Sequence, residues 1–194
     1  MKSFSQSCEN NKGPILDVLL PLLRRQRECL EIGSGTGQHA AFFAARLPHL
    51  VWQTSDVAGN HASINAWIDG VDNARPPMVL DVDGDDWPAR RYDAAFSANT
   101  AHIMHWPTVV NMFHGVSDIL EPGAVFALYG PFNYQGEYTS PSNQHFDRTL
   151  RASDPGMGIR DYEAVVELAS SAGMTLLADH DMPANNRTLL WQRD

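Results

Sequence analysis

The sequence predicts an α/β fold built on a parallel sheet, and three observations carry that prediction. Short apolar runs alternate with helix-like segments over residues 29–129, the rhythm of βαβ units. One strand-to-helix junction, Leu30-Glu31-Ile32-Gly33-Ser34-Gly35-Thr36-Gly37, carries three alternating glycines. The last two apolar runs, 174–181 and 187–192, are joined by residues 182–186 alone, and a link that short permits only an antiparallel pair.

Each element has its own signal. Residues 1–12 are polar, lack an apolar signal-peptide core, and read as an irregular arm. Gly13-Pro14 opens a helical pattern of Ile15, Leu16, Leu19, Leu22 and Leu23. Pro14 suits a first turn, and Pro21 should kink or shorten the helix. Residues 29–32 form a short strand ending in glycines, and the alanine-rich stretch 38–47 forms a helix closed by Pro48. A strand at 51–55, a weaker helix at 58–68 stopped by Gly70, and strands at 78–82 and 92–97 follow. Residues 107–120 read as a helix with Pro107 near its start and Glu121-Pro122-Gly123 past its end. The near-continuous apolar run 124–129 is that of a strand covered on both faces.

The rhythm then breaks. Residues 130–158 are rich in Gly, Pro, Asn, Ser and Tyr and have no clean period. A loop this long is usually functional, so residues 130–160 read as a lid or substrate insertion. Its aromatics Phe132, Tyr134, Tyr138 and Phe146 argue against disorder. Residues 161–172 form the last helix, with Asp161 as N-cap and Gly173 as the stop.

Composition bounds the function. The 194 residues are 43% hydrophobic, enough for one domain with a sizeable core. The net charge of −9 argues against duplex nucleic acid and against anionic membrane surfaces, both of which need Lys and Arg. The acids are 16 Asp to 7 Glu. Since Asp favours caps and turns, the negative charge should sit at element ends, Asp83, Asp85, Asp86, Asp154 and Asp161 among them. Cys8 and Cys29 suggest no disulfide framework. No apolar stretch approaches the roughly 18 residues of a membrane span, and the expected setting is cytoplasmic. Nothing in the sequence signals an oligomeric state.

The glycine loop is the strongest motif. Glycines there permit a sharp turn and close approach of a ligand, and the following helix N-terminus favours an anionic group. The Gly-x-Gly-x-Gly spacing departs from the dinucleotide Gly-x-Gly-x-x-Gly. Asp56 closes the next strand, where a carboxylate can accept both hydroxyls of a ribose. Asp81, expected at the end of the third strand, is placed to accept from an adenine amino group, with Val82 beside it.

These residues resemble a class I S-adenosylmethionine-dependent methyltransferase. Glu31-x-Gly33-x-Gly35-x-Gly37 matches that family's first motif, Asp56 its second-strand acid and Asp81 its third-strand acid. The resemblance covers residues 13–194. It implies a Rossmann-like seven-stranded sheet in the order 3-2-1-4-5-7-6, with the last strand antiparallel and helices on both faces. A narrower likeness joins Asn11-Lys12-Gly13-Pro14-Ile15-Leu16, Asn99-Thr100-Ala101-His102, Ser142-Asn143-x-x-Phe146-Asp147 and Asp154-Pro155-x-x-Gly158-Ile159-Arg160-Asp161. These segments resemble the methyltransferase-like 26 family of predicted methyltransferases without an assigned substrate.

The resemblance implies S-adenosyl-L-methionine as cofactor, held by Lys12, Glu31, Gly33, Ser34, Gly35, Gly37, Asp56, Asp81, Val82 and Asn99. The fourth strand would end beside the methyl group. There Asn99 is a candidate for cofactor or substrate, and His102 is the candidate general base, since imidazole titrates near neutrality. His105, before Trp106-Pro107, suits a helix start. Tyr134, Asn143, Phe146 and Arg151 are the substrate candidates in the insertion, suited to a small polar or planar acceptor. No metal is expected: His102, His105 and His114 fit no zinc spacing. Residues 81–92 fail as a calcium loop because glycine stands fourth and Tyr92 twelfth. The leading function is methyl transfer to a small molecule. A non-catalytic S-adenosylmethionine-binding sensor or partner subunit is the alternative, and a nicotinamide-dependent oxidoreductase is disfavoured by the glycine spacing.

Overall fold

The computed structural model describes residues 2–84 and 87–194; Asp85 and Asp86, expected in a loop, lie outside the described residues. The strands are β1 (Glu28–Ile32), β2 (Val51–Asp56), β3 (Ala74–Val79), β4 (Tyr92–Ala98), β5 (Leu120–Gly130), two short strands β6 (Phe132–Asn133) and β7 (Arg160–Asp161), then β8 (Met174–Met182) and β9 (Asn186–Arg193). The helices are α1 (Gln6–Leu22), α2 (Gln38–Arg46), α3 (His61–Ile68), α4 (Trp106–Ile119), α5 (Pro141–Ser153) and α6 (Tyr162–Ser171).

Seven strands form one sheet in the order β3-β2-β1-β4-β5-β9-β8. With the separate β6–β7 pair set aside, this is the expected order 3-2-1-4-5-7-6. Strands β1 to β5 pair in parallel, whereas β9 runs antiparallel to both β5 and β8.

Alternation along the central strands feeds two cores. On β5, Phe126 and Leu128 face α4 and α6, while Val125, Ala127 and Tyr129 face α1 and α2. Each face holds an aromatic triangle. Phe113, Phe126 and Trp191 have centroids 5.4–5.6 Å apart. Phe43, Trp52 and Phe96 lie 5.5–5.8 Å apart on the other side. All six rings are fully buried.

Three elements depart from the sequence reading. Residues 6–12, expected to be irregular, form the first turns of α1, capped by the Ser5 hydroxyl accepting from Cys8 N at 3.3 Å. Pro14 therefore lies inside the helix, and burial of Ile15, Leu16 and Leu19 overrides its breaking tendency. β3 is displaced toward the N-terminus from 78–82 to Ala74–Val79. Pro76 and Pro77 are tolerated because β3 is an edge strand. Two β2 side chains secure the irregular register: Gln53 Nε2 donates to Pro76 O at 2.9 Å and Thr54 Oγ1 to Arg75 O at 2.8 Å. The insertion contains a 13-residue helix, α5. Ser140 caps it by accepting from Asn143 N at 3.1 Å, and Pro141 occupies the first turn.

The triangles predict a sharp contrast in stability. Phe126→Ala should cost about 3–5 kcal/mol by urea denaturation. Leu177→Ala, at a residue 49% exposed, should stay within about 0.5 kcal/mol. Equal effects would contradict this core assignment.

Candidate functional site

The site begins where β1 and β4 leave the sheet side by side. Their parallel register pairs Leu30 with Ala95 and Ile32 with Ser97. Ser97 Oγ donates to Ile32 O at 2.8 Å and lies 2.7 Å from Thr100 Oγ1. The glycine loop and the turn after β4 are thus bound together.

The three glycines have different reasons to be there. A Cβ on Gly33 would lie 2.8 Å from Thr100 Cγ2, and one on Gly37 2.7 Å from Ile64 Cα. Those two are required by packing. Gly35, with φ +57°, would meet nothing within 4 Å, so its open side faces the cleft. Gly35 N donates to Asp56 Oδ2 at 2.7 Å. The other Asp56 oxygen accepts from Val57 N at 2.7 Å and Asn60 Nδ2 at 2.8 Å. The carboxylate therefore sets the distance between the glycine loop and the end of β2.

Behind the loop, Glu31 is buried and accepts from Trp52 Nε1 at 3.1 Å. Burial pushes its carboxyl up to about 7, opposed by hydrogen bonds from Ser34 and Trp52 and reinforced by Asp56. It supports the loop from the sheet side and does not line the cleft.

The cleft has a volume of about 780 Å³, within the usual range for a small-molecule site. Gly33, Ser34, Gly35, Thr36, Asp56 and Asn60 form one wall. Asn99, Thr100, His102, Ile103 and Met104 form the wall beyond β4. Ser5, Cys8, Asn10 and Asn11 of the α1 region, with Asn143 and Phe146 of α5, cover it, and Pro183, Ala184 and Asn186 complete the rim. Asn143 Nδ2 donates to Asn185 O at 3.0 Å, joining α5 to the β8–β9 turn. That turn holds Ala184 and Asn185 at φ +58° and +57°, a left-handed geometry that costs about 1 kcal/mol or more for alanine. A smaller cavity of about 480 Å³, lined by Asp17, Val18, Pro21, Leu22, His180 and Leu190, includes none of these residues.

Two histidines enter the cleft from opposite sides. His39 Nε2 lies 2.7 Å from Asn11 Oδ1, and its ring stacks on Phe43 at 5.3 Å. His102 meets Phe146 edge-on at 5.2 Å. Burial drives both imidazoles down to about 4, assisted by Lys12 for His39 and by Arg160 for His102. Both are therefore neutral near pH 7. Asn99 sits at φ +60°, with its N–H donated to Tyr129 O at 2.9 Å. Strain of this kind at a strand end is common at functional sites.

The structure gathers Gly33, Ser34, Gly35, Asp56, Asn99, His102, Asn143 and Phe146 around one space. It does not bring Lys12, Gly37, Asp81, Val82, Tyr134 or Arg151 to that lining. Lys12 pairs with Glu9 and lies 4.8 Å over the Phe42 ring, because helical α1 turns Asn11 inward and Lys12 toward α2. With β3 ending at Val79, Asp81 falls in an exposed turn and accepts from Asp83 N at 3.1 Å. Val82 joins the apolar core. Tyr134 donates to Asp179 at 2.7 Å, and Arg151 pairs with Asp147 at 2.7 Å. His105 precedes α4 as expected, its Nε2 2.8 Å from Asp154 Oδ2. His39 and Tyr129 are additions that the sequence did not single out, and Asn11, quoted there only within a family segment, lines the cleft in place of Lys12. His39, two residues past Gly37, had only its proximity to the motif as a signal. Among the described residues, no group of three His, Cys, Asp or Glu is arranged to hold a metal ion. None of the helices there is long and apolar enough to cross a membrane.

Residues 2–193 match a family described as a protein of unknown function, DUF938. The chain belongs to the DUF938 family. Solved structures show that this DUF938 protein has the class I S-adenosylmethionine-dependent methyltransferase fold. An O-methyltransferase family protein from Burkholderia thailandensis superposes with a TM-score of 0.84 at 14% identity, over 94% of this chain and 56% of that one. The S-adenosylmethionine-dependent methyltransferase SibL gives 0.81 at 18%, over 96% and 55%. An O-methyltransferase family 2 protein from Planctomyces limnophilus, in complex with apigenin, gives 0.83 at 16%, over 95% and 58%. The DUF938 chain therefore spans just over half the length of these structures.

The buried acid has a pH signature. Raising the Glu31 carboxyl from 4.5 to about 7 means the folded state binds the extra proton. Its stabilising share is complete below pH 4.5 and is lost as pH rises through 7. Urea denaturation across pH 4.5–7.5 should show the stability difference between the native chain and Glu31→Gln moving in favour of Gln with rising pH. His39 and His102 act in the opposite sense, losing stability as pH falls from 6.5 toward 4, but they are common to both proteins and cancel. A pH-independent difference would contradict the burial argument.

Proposed function

We propose that this protein uses S-adenosyl-L-methionine to methylate a small-molecule acceptor of unassigned identity, and that it shares this activity with the methyltransferase-like 26 family it resembles. The observation that carries the reading is Gly35. It is a left-handed glycine with open space on its Cβ side, at the mouth of a 780 Å³ cleft, bonded to Asp56 at 2.7 Å.

The residues present fit the cofactor. The Gly33-Ser34-Gly35 backbone offers close approach, Asp56 offers a carboxylate for two ribose hydroxyls, and Asn99 offers an amide for the amino acid portion. When bound, the cofactor supplies an electrophilic methyl group on a sulfonium. The chain's part is chiefly to hold the acceptor in line and exclude water. Phe146, Ile103, Met104 and Pro131 provide apolar wall, and Asn143 and Asn186 provide amides. No Lys or Arg lines the cleft among the described residues, which favours an acceptor without phosphate or carboxylate. A hydroxyl suits the neutral His102 imidazole, which can accept its proton. The O-methyltransferase names of the similar structures support the same class.

A non-catalytic sensor is the second reading. It is favoured by the lowered basicity of His102, which weakens it as a proton acceptor. Calorimetry with S-adenosylmethionine and S-adenosylhomocysteine tests the cofactor. Gly35→Asp should reduce affinity by at least about tenfold, because it places a carboxylate in the open cradle, with thermal stability reduced much less. Native protein that binds neither compound would refute both readings. Binding without transfer of labelled methyl to a small-molecule extract would select the sensor.

A further inference from the structure

The segment from Asp154 to Arg160 wraps the turn that carries His102. Asp154 Oδ2 lies 2.8 Å from His105 Nε2, and Oδ1 accepts from Gly156 N at 2.8 Å. Gly158 N donates to His102 O at 2.9 Å. Arg160 Nε donates to Ala101 O at 2.9 Å, while its Nη2 donates to Gly156 O at 2.9 Å and also reaches Met104 O. One guanidinium thus grips the first and last carbonyls of residues 101–104, plus a carbonyl of the wrapping segment. The glycines permit the approach. A Cβ on Gly156 would lie 2.5 Å from the His105 ring, and one on Gly158 2.5 Å from Arg151 Nη2.

We infer that Arg160 is a positioning residue that holds the 101–104 turn so that His102 faces the cleft. The role of His102 in transfer rests on the proposed function; the clamp itself does not. The planar fork of Arg suits three separated carbonyls, which a Lys ammonium cannot span together. The charge matters as well as the shape. Arg160 is half-buried and makes no ion pair among the described residues. The nearby Asp147 is already occupied by Arg151 Nε at 2.7 Å, Tyr138 OH at 2.8 Å and Ile159 N at 2.7 Å. The other charged groups near His102 are likewise paired: Asp147 with Arg151 on α5, and Asp154 with His105 before α4. From β5, Gly130 approaches it without a formal charge. The Arg160 field therefore acts on His102 without compensation and adds to burial in keeping the imidazole neutral.

The test uses the full chain without cofactor. Imidazole nitrogen NMR follows the His102 titration, with His102→Gln identifying its signal, and amide exchange follows residues 101–104. Arg160→Gln should raise the His102 midpoint by roughly one unit and speed exchange of those amides by about tenfold or more. Arg160→Lys, which keeps the charge and loses the span, should speed exchange similarly while moving the midpoint less. A folded Arg160→Gln protein with unchanged exchange of the 101–104 amides would overturn the inference. If Arg160→Gln does not fold, unchanged 101–104 exchange in Arg160→Lys would overturn it instead. Failure of the methyltransferase reading would show separately, as native protein that does not bind S-adenosylhomocysteine.

Discussion

The parallel pairing of β1 with β4 is the constraint on which the rest of the structure depends. From β1 the sheet grows outward in one direction through β2 and β3, and from β4 in the other through β5 and β9. The chain exits these two central strands on the same edge, at the point where the winding reverses, and such a point opens a crevice. Ser97 closes the base of that crevice by bonding to Ile32 O, and Thr100 presses against Gly33. Any side chain on Gly33 would force the two exits apart. The glycine loop and the Asn99–His102 turn are therefore one structural unit, although more than 60 residues separate them in sequence.

The cleft is mostly neutral because its surroundings remove charge. Glu31, His39 and His102 are all buried, and in each case burial favours the uncharged form. Asp56 is the carboxylate in the lining, and it accepts from two backbone amides and the Asn60 amide. Among the described residues, the chain's other aspartates lie partly at element ends and in turns, whereas Asp17, Asp147 and Asp179 sit within α1, α5 and β8. Asp83 accepts from Thr108 and Asn111 near the start of α4, and Asp154 ends α5. The net charge of −9 consequently says little about what the cleft takes.

The displaced elements α1, β3 and α5 all contain proline. Pro14 suggested a helix start, yet the helix runs through it because its apolar face is buried. Pro76 and Pro77 lie within β3 because an edge strand needs fewer of its N–H groups. Pro141 after Ser140 was a legible helix start, masked by the Gly, Asn and Ser around it. These shifts propagate to the site. With β3 ending at Val79 rather than at 82, Asp81 comes off the strand end, and a helical rather than irregular α1 exchanges Lys12 for Asn11.

By itself, the sequence determined the α/β class, the antiparallel end and the position of the glycine loop, while the strand order was implied only by the family that its motifs resemble. The first three follow from hydrophobic period, glycine spacing and link length, which are local properties of the chain. Only the tertiary structure decided which glycine opens to the cleft, which lid residues reach it, and that Asp154–Arg160 serves the His102 turn. Those facts depend on the separation of atoms remote in sequence: Gly33 against Thr100, Gly37 against Ile64, Arg160 against three carbonyls. Packing alone sets those separations, and no pattern along the chain encodes them.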